Sequence, residues 1–136
     1  MIYKTKLIVR PYELDSYNHV NNAVYLNYLE YARMDFLHQV GFDYKALVAQ
    51  GYYTYVTHID IHYKASAFLD DELTIESQSV KMGVASGTFH QEIKKNAGTK
   101  DEILCAVADV TWACVKNGIP TKLPKEFAVP GLKPEK

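Results

Sequence analysis

The sequence predicts an α+β protein in which a five-stranded antiparallel sheet wraps around one long central helix. Three observations support this fold class. A helix-length apolar segment occupies residues 23–40, and four strand-length segments follow it between residues 52 and 116. The connections between those four segments are short and contain turn-forming residues, which favours antiparallel neighbours. A sheet and a single apolar helix bury their apolar surfaces most simply against each other.

The chain begins with a predicted strand at residues 4–12, which Pro11 restricts to an edge or an end of the sheet. A loop of polar turn formers follows at residues 15–22. One strand therefore precedes the long helix and four strands follow it. This arrangement leaves an edge strand to be covered, and a dimer is the natural way to cover it.

The long helix is predicted over residues 23–40 because apolar side chains cover a broad face of that segment. Asn21 and Asn22 are both candidates for its N-cap, of which Asn22 is the preferred one, and Gly41 supplies the stop signal. One or two further helical turns are predicted at residues 44–50.

The four later strands are recognised by their β-branched and aromatic residues and by the turns between them. They are predicted at residues 52–63, 72–82, 86–94 and 103–116. The Asn96-Ala97-Gly98 turn joins the last two, and Asn117-Gly118 ends the last strand. The proline-containing tail from about residue 118 is predicted to be extended and frayed.

Composition limits the classes of protein to which the chain can belong. Its 136 residues, with 48 % hydrophobic and 23 % charged content, predict a single globular domain over residues 1–136. A formal net charge of −1 argues against a nucleic-acid partner held by bulk electrostatics. No apolar run approaches the ~20 residues that a membrane span needs, and no signal-peptide segment is expected.

The two cysteines give information about the cellular compartment. Cys105 and Cys114 lie nine residues apart within one predicted strand, so they would be about 30 Å apart if extended. A disulfide between them is not expected, and the chain is predicted to be cytoplasmic.

One acid, Asp15, lies in the polar loop directly before the long helix. A helix N-terminus presents unpaired backbone N–H groups and the positive end of the helix dipole, and both polarise a carbonyl. A neighbouring carboxylate can act on that carbonyl as a base or as a nucleophile. This pairing predicts half of an acyl-transfer site. The simpler interpretation is that Asp15 only caps nearby N–H groups in its loop.

The same region carries the pattern D-x-x-x-H-V-N-N-x-x-Y-x-x-Y-x-E-x-A-R, which begins at Asp15 and ends at Arg33. This pattern resembles the hotdog-fold acyl-CoA thioesterases, and more closely the 4-hydroxybenzoyl-CoA thioesterase and YbgC-like family. Later segments agree with the resemblance, among them Tyr63-Lys64-Ala65-Ser66, Asp70-Asp71-Glu72-Leu73 and Gly118-Ile119-Pro120. The similarity therefore extends over most of the chain.

The resemblance implies a hotdog fold and an enzyme that hydrolyses an acyl-CoA thioester to free acid and CoA. Asp15 matches the catalytic carboxylate of the family, and the backbone N–H near Asn22 matches the group that polarises the thioester carbonyl. The family also implies homodimers that share one continuous sheet, often paired into homotetramers, with active sites at the subunit interface. Neither a metal ion nor an organic cofactor is expected.

Four further residues are candidates for the site. His19 is either a general base or a loop-fixing residue that bonds to backbone near Asp15. Tyr25 and Tyr28 lie three residues apart on one helix face, so each either binds the substrate or packs in the core. Lys64 is a candidate contact for the CoA phosphates. The other candidate lysines are Lys81, Lys94 and Lys95.

Two other groups of polar residues are interpreted as structural or solvated. Glu30 precedes Arg33 by three residues, so an ion pair on the helix is predicted. His58 and His62 share a strand face with Asp60, but the two histidines would be about 13 Å apart. That distance is too long for a shared metal ion, so no metal site is expected.

The sequence leaves two alternatives to an acyl-CoA thioesterase. One is an acyl-carrier-protein thioesterase, which would need a protein-docking surface beside the active site. The other is a non-catalytic hotdog module that binds acyl-CoA. The retained Asp15 favours an enzyme, whereas Asn22 stands where YbgC-like members often have a histidine and so favours the module. The sequence also does not decide whether Asp15 attacks the carbonyl or activates a water.

Overall fold

The computed structural model describes residues 1–135 of the chain. The helices and strands, in chain order, are β1 (Tyr3–Ile8), α1 (Asn22–Gln39), α2 (Tyr44–Ala49), β2 (Tyr52–Tyr63), β3 (Glu72–Met82), β4 (Ser86–Lys95), β5 (Ile103–Lys116) and β6 (Ile119–Pro120). Single 3₁₀ turns lie at Pro11–Glu13, Lys125–Phe127 and Pro130–Leu132. The ends of β2, β3 and β5 are those predicted from the sequence, and β4 is one residue longer.

The five longer strands form one antiparallel sheet in the order β1-β3-β4-β5-β2. Helix α1 packs on this sheet through one apolar side. Its buried residues are Tyr25, Tyr28, Leu29, Ala32 and Phe36. Buried and less buried side chains alternate along β4, as expected for a strand with one face against a core. The predicted α+β arrangement, an antiparallel sheet wrapped around one long helix, is confirmed.

A sixth strand of two residues pairs with β5 just beyond Ser86, the first residue of β4. Asn117 and Gly118 have φ angles of 53° and 75°, the left-handed pair that a two-residue type I′ hairpin turn requires. The turn brings β6 back so that it pairs with Val115 and Lys116 of β5. The prediction that Asn117 and Gly118 end the strand is therefore confirmed.

The prediction of an extended, frayed tail is wrong. Phe127 and Leu132 are 7 % and 1 % exposed, and Phe127 stacks on Trp112 with ring centroids 5.3 Å apart. The Ser79 hydroxyl donates a 2.7 Å hydrogen bond to the Leu132 carbonyl. The prolines limit regular structure in the tail to β6 and short 3₁₀ turns, but they do not prevent these apolar side chains from filling the space between α1 and the sheet.

Two other boundaries also differ from the prediction. Strand β1 ends at Ile8, because Pro11 lacks an N–H and begins a 3₁₀ turn. Asn21, not Asn22, is the N-cap of α1: its backbone is extended and its Oδ1 accepts a 2.9 Å hydrogen bond from Ala23 N–H. Asn22 is the first helical residue.

Both cysteines lie on the same strand, β5, as predicted, and both are buried free thiols. Burial raises the pKa of each thiol, which keeps both protonated. No helix within residues 1–135 is long and apolar enough to cross a membrane.

Candidate active site

The loop that carries Asp15 is closed by its own backbone. Asp15 N–H donates to the His19 carbonyl at 2.9 Å, and Asn18 N–H donates to the Asp15 carbonyl at 3.1 Å. The turn requires a left-handed residue, and Asn18 has a φ of 65°. Asparagine tolerates this conformation better than most residues, which explains its place in the loop. The loop is therefore a defined turn that holds the Asp15 side chain beside helix α1.

The Asp15 carboxylate is held by two neighbours within its loop. Its Oδ1 accepts a 2.8 Å hydrogen bond from Tyr17 N–H, and its Oδ2 lies 3.1 Å from His19 Nδ1. The Asp15 side chain is 23 % exposed and that of His19 is 37 % exposed. His19 Nδ1 also lies 3.4 Å from the Val20 carbonyl oxygen. The carboxylate is thus oriented by its loop and still accessible from solvent.

The start of α1 contributes one backbone donor to the site. Asn21 N–H donates to the Glu13 carbonyl, while Ala23 N–H and Val24 N–H donate to the side chain and carbonyl of Asn21. Among residues 1–135 no group accepts a hydrogen bond from Asn22 N–H. Asn22 N–H is therefore a free donor at the positive end of an 18-residue helix.

Asp15 and Asn22 line the same cleft, which has a volume of about 290 Å³. The remaining lining residues are His19, Val20, Tyr25, Tyr63, Lys64, Ala65 and Ser66. The structure thus brings together five of the six site residues that the sequence predicted. Lys64 is exposed at this cleft, and no carboxylate within residues 1–135 pairs with it.

The two predicted helix tyrosines occupy different environments. Tyr25 lines the cleft, and its hydroxyl accepts a 3.1 Å hydrogen bond from Ala67 N–H. Tyr28 is 2 % exposed and does not line the cleft. Its hydroxyl instead donates a 2.8 Å hydrogen bond to the buried carboxylate of Glu13. Burial raises the pKa of both tyrosines, so both hydroxyls stay neutral.

The predicted ion pair between Glu30 and Arg33 is wrong. Arg33 Nη1 donates to the Gln91 side-chain oxygen at 3.1 Å, and in the described chain no carboxylate lies within 4.0 Å of the guanidinium. Gln91 is fully buried on β4, where its amide nitrogen donates to the Leu29 carbonyl and to Ser77 Oγ. These two bonds aim the Gln91 oxygen at Arg33, and burial lowers the pKa of Arg33.

A second cavity, of about 120 Å³, adjoins Arg33. Most of its walls are apolar or aromatic side chains. They include Leu37, Phe42, Phe89, Trp112, Phe127 and Leu132. This cavity lies against the middle and carboxyl-terminal part of α1, away from the unpaired N–H groups and the positive dipole end at the helix start. The cleft at Asp15 is therefore the better candidate for chemistry on a carbonyl.

The remaining candidate side chains lie outside the cleft. His62 Nε2 is 3.0 Å from Asp60 Oδ1, and both side chains are exposed. In the part of the chain that the structure describes, no three His, Cys, Asp or Glu side chains are arranged to hold a metal ion. Lys94 and Lys95 are engaged with carboxylates, and Lys81 is exposed on β3.

Sequence reasoning missed two residues that shape the cleft. Tyr63, at the end of β2, lines the cleft, and its hydroxyl donates a 3.0 Å hydrogen bond to the Asn22 carbonyl. Glu13 is buried two residues before Asp15. In the sequence, the only local indication of a role for Glu13 is that this charged residue lies two positions before Asp15. For Tyr63 it is the position of a tyrosine directly before the Lys64-Ala65-Ser66 segment.

Both the sequence and the fold are similar to those of known thioesterases. Residues 9–130 match the family described as the thioesterase-like superfamily. The long-chain acyl-CoA thioesterase FadM of Escherichia coli is 37 % identical over 112 residues, which cover 82 % of each chain. The crystal structure of YbaW, a probable thioesterase from Escherichia coli, is 35 % identical, covers 90 % of each chain and superposes with a TM-score of 0.75.

A plant relative has a different named substrate. The acyl-acyl carrier protein thioesterase ATL3 of Arabidopsis thaliana, a chloroplast protein, is 28 % identical over 110 residues. The match covers 81 % of the present chain and 57 % of ATL3.

Proposed function

Because the chain belongs to the thioesterase-like superfamily and is a hydrolase of thioester bonds, we propose that it converts an acyl-CoA to a free acid and CoA. Asp15 acts as the catalytic carboxylate, and Asn22 N–H polarises the thioester carbonyl. The observation that carries this proposal is that Asn22, whose N–H has no acceptor among residues 1–135, lines the same cleft as Asp15, whose carboxylate is accessible.

The chemistry follows from these two groups. A thioester oxygen that accepts a hydrogen bond from Asn22 N–H is also stabilised by the helix dipole as negative charge develops on it. Asp15 then attacks the carbonyl carbon, and the C–S bond breaks to release the CoA thiolate and leave a mixed anhydride that water hydrolyses. Alternatively, Asp15 accepts a proton from a water that attacks the same carbon. Both routes end in free acid and CoA.

The other cleft residues have supporting roles in this proposal. Tyr25 and Tyr63 pack edge to face with centroids 5.3 Å apart and form an aromatic wall for the acyl group. The unpaired Lys64 amine at the cleft attracts the CoA phosphates. His19 orients the Asp15 carboxylate through its Nδ1 contact. Tyr28, which lies behind Tyr25 with centroids 6.1 Å apart, supports the wall without touching the substrate.

We also propose that the functional unit is at least a homodimer. Strand β2 is an edge of the sheet, and the 11 residues of it that pair with β5 are paired on that side only. Pairing of β2 with β2 of a second copy would continue the sheet and bring the second copy close to the cleft. A further pairing of dimers gives the homotetramer that the family resemblance implies. The buried free cysteines fit a reducing cytoplasm.

The decisive experiment follows CoA release with a thiol reagent from a panel of aliphatic and aromatic acyl-CoAs. Asp15→Asn should lower turnover at least ~100-fold, the lower range for loss of a catalytic acid or base. It should unfold like the wild type, because asparagine keeps the acceptor for Tyr17 N–H. Asp43→Asn is the matched control, since Asp43 only caps α2 through Ala46 N–H and should tolerate the change. Full activity in Asp15→Asn would refute the proposed role.

A second candidate substrate is an acyl group on acyl carrier protein, because a relative named for that substrate matches the chain. The two substrates can be separated by presenting the same acyl group on CoA and on carrier protein. We expect the higher kcat/KM with acyl-CoA. A preference of tenfold or more for carrier protein, about 1.4 kcal/mol, would favour the second candidate.

A further inference from the structure

Glu13 is a buried carboxylate that the proposed reaction does not use. The residue is 6 % exposed, and four donors satisfy its two carboxylate oxygens. Its Oε1 accepts from Arg10 N–H at 2.8 Å and from the Tyr28 hydroxyl at 2.8 Å. Its Oε2 accepts from Arg10 Nε at 3.2 Å and from Arg10 Nη2 at 2.7 Å. Burying a charged group is unfavourable unless it is paired in this way.

The same residue joins the Asp15 loop to helix α1 at two points. Its carboxylate binds Tyr28, which lies in the second turn of the helix. Its backbone carbonyl accepts a 3.0 Å hydrogen bond from Asn21 N–H, the N-cap residue of the helix. Asp15 follows Glu13 by two residues, and Asn22 follows Asn21 directly. A shift of Glu13 relative to α1 would therefore change the distance between Asp15 and Asn22.

The electrostatics favour an ionised Glu13 at neutral pH. Burial raises the pKa of Glu13, but the hydrogen bonds from Arg10 and Tyr28 outweigh burial and lower it overall. Burial and the bond to Glu13 together raise the pKa of Tyr28, which keeps the donor hydroxyl protonated. The link between loop and helix is thus a charge-assisted hydrogen bond, which is stronger than a neutral one.

We propose that Glu13 is a positioning residue: through Tyr28 and Asn21 it sets the position of the Asp15 carboxylate relative to Asn22 N–H. This inference rests on the proposed function, because it explains how the two reacting groups are held at a fixed separation. Catalysis is sensitive to small displacements of such groups, since a misplacement of about 1 Å can lower a rate ~100-fold.

Tyr28→Phe tests the proposal most cleanly, because Glu13→Ala would leave the Arg10 guanidinium without its partner and risks misfolding. The phenylalanine keeps the ring in the core and removes only the donor to Glu13. We expect kcat for acyl-CoA to fall about tenfold or more while KM changes less than about threefold, because ground-state binding is retained. A large rise in KM with unchanged kcat would instead indicate substrate binding by Tyr28 and would overturn the proposal.

Ser79→Ala is the matched control for a merely structural effect. It removes another buried side-chain hydrogen bond, from Ser79 Oγ to the Leu132 carbonyl, and neither residue lines the Asp15 cleft. Both variants should be less stable than the wild type in urea, but only Tyr28→Phe should lose kcat. An equal loss of kcat in both variants would contradict positioning by Glu13.

A measurement without turnover separates this proposal from the proposed function. In ¹⁵N–¹H spectra, Tyr28→Phe should shift the amide signals of Asp15 and Asn22, and Ser79→Ala should not. Unmoved signals in Tyr28→Phe would refute positioning, even if Asp15→Asn is inactive as expected. Shifted signals together with an active Asp15→Asn would refute the proposed function and leave Glu13 as the residue that sets the loop geometry.

Discussion

The loop around Asp15 orients the carboxylate and leaves it accessible to solvent. Tyr17 N–H holds one carboxylate oxygen and His19 Nδ1 contacts the other, so the side chain has a fixed orientation. Neither contact buries the carboxylate, which remains 23 % exposed. An oriented and accessible carboxylate meets what the proposed reaction requires of Asp15.

His19 should matter less for the reaction than Asp15. His19→Ala removes one contact to the carboxylate, but Asp15 keeps Tyr17 N–H and the backbone bonds of its loop. We expect a loss of about tenfold in kcat/KM, equivalent to about 1.4 kcal/mol, against at least ~100-fold for Asp15→Asn. Steady-state assays of both variants on one acyl-CoA make the comparison. A loss in His19→Ala as large as that in Asp15→Asn would assign His19 a direct chemical role.

The sequence predicted those site residues whose signal is local. Asp15, His19 and Asn22 belong to one loop and the helix that follows it, so their proximity in space follows from their proximity in sequence. Lys64 required the family resemblance, because nothing local connects the end of β2 to that loop. Glu13 was not predicted, because its importance depends on Tyr28, which lies fifteen residues further along the chain.

At the scale of elements, the carboxyl-terminal tail contributes part of the core. Leu132 is 1 % exposed, so Leu132→Ala should lower the free energy of unfolding by about 2–5 kcal/mol. Lys133→Ala, at an exposed neighbouring position, should change it by less than about 0.5 kcal/mol. Urea denaturation of both variants measures the difference. A frayed tail would instead make the two variants equally stable.

On the outer face of the sheet, His90 on β4 lies between two carboxylates, those of Glu92 on β4 and Asp109 on β5. Burial lowers the pKa of His90, but hydrogen bonds from its ring to Glu92 and Asp109, each 2.8 Å, outweigh burial and raise it. A raised folded-state pKa stabilises the fold below the unfolded pKa of ~6.5, and this stabilisation is lost as pH rises through the folded-state pKa.

Wild-type stability should therefore fall as pH rises above ~6.5, and His90→Gln should flatten that dependence. The slope of the unfolding free energy against pH should differ between the two proteins by the equivalent of less than about one bound proton, because a single side chain titrates. His58→Gln is the control, since His58 lies on β2 and contacts no carboxylate in the described part of the chain. Urea midpoints measured between pH 5 and pH 9, a range that brackets an unperturbed histidine, test this. Equal slopes in wild type and His90→Gln would contradict it.

The helices and strands could be predicted because the residues that define them are close together in the sequence. The packing of the tail could not be predicted in this way. Strands β2, β3 and β5 are bounded by turn-forming residues, and their ends were predicted correctly. The helix began one residue earlier than predicted, because Asn21 and Asn22 have equal capping chemistry and only the fold selects between them. The tail packs through Phe127 and Leu132, which carry no periodic pattern, so only the tertiary structure reveals its place.

At the scale of the whole molecule, β2 leaves one edge of the sheet without a partner strand. Val56 on this edge is 46 % exposed and borders the cavity near Arg33. Soluble proteins rarely leave a long, apolar edge strand open, because it pairs with other chains. In the proposed dimer a second copy of the chain covers this edge, since an antiparallel pair of identical strands forms a closed twofold interface.

Val56→Lys should weaken that dimer, because it places a charge at the centre of the proposed strand pairing. Val84→Lys is the matched control: Val84 is 74 % exposed in the turn between β3 and β4, and β5 lies between β4 and the β2 edge. Sedimentation equilibrium should give at least twice the 15.5 kDa chain mass for wild type and Val84→Lys, and a smaller average mass for Val56→Lys. CoA release should fall in parallel in Val56→Lys, because the proposed active site borders the interface. A monomeric wild type with full turnover would show that one chain completes the site alone.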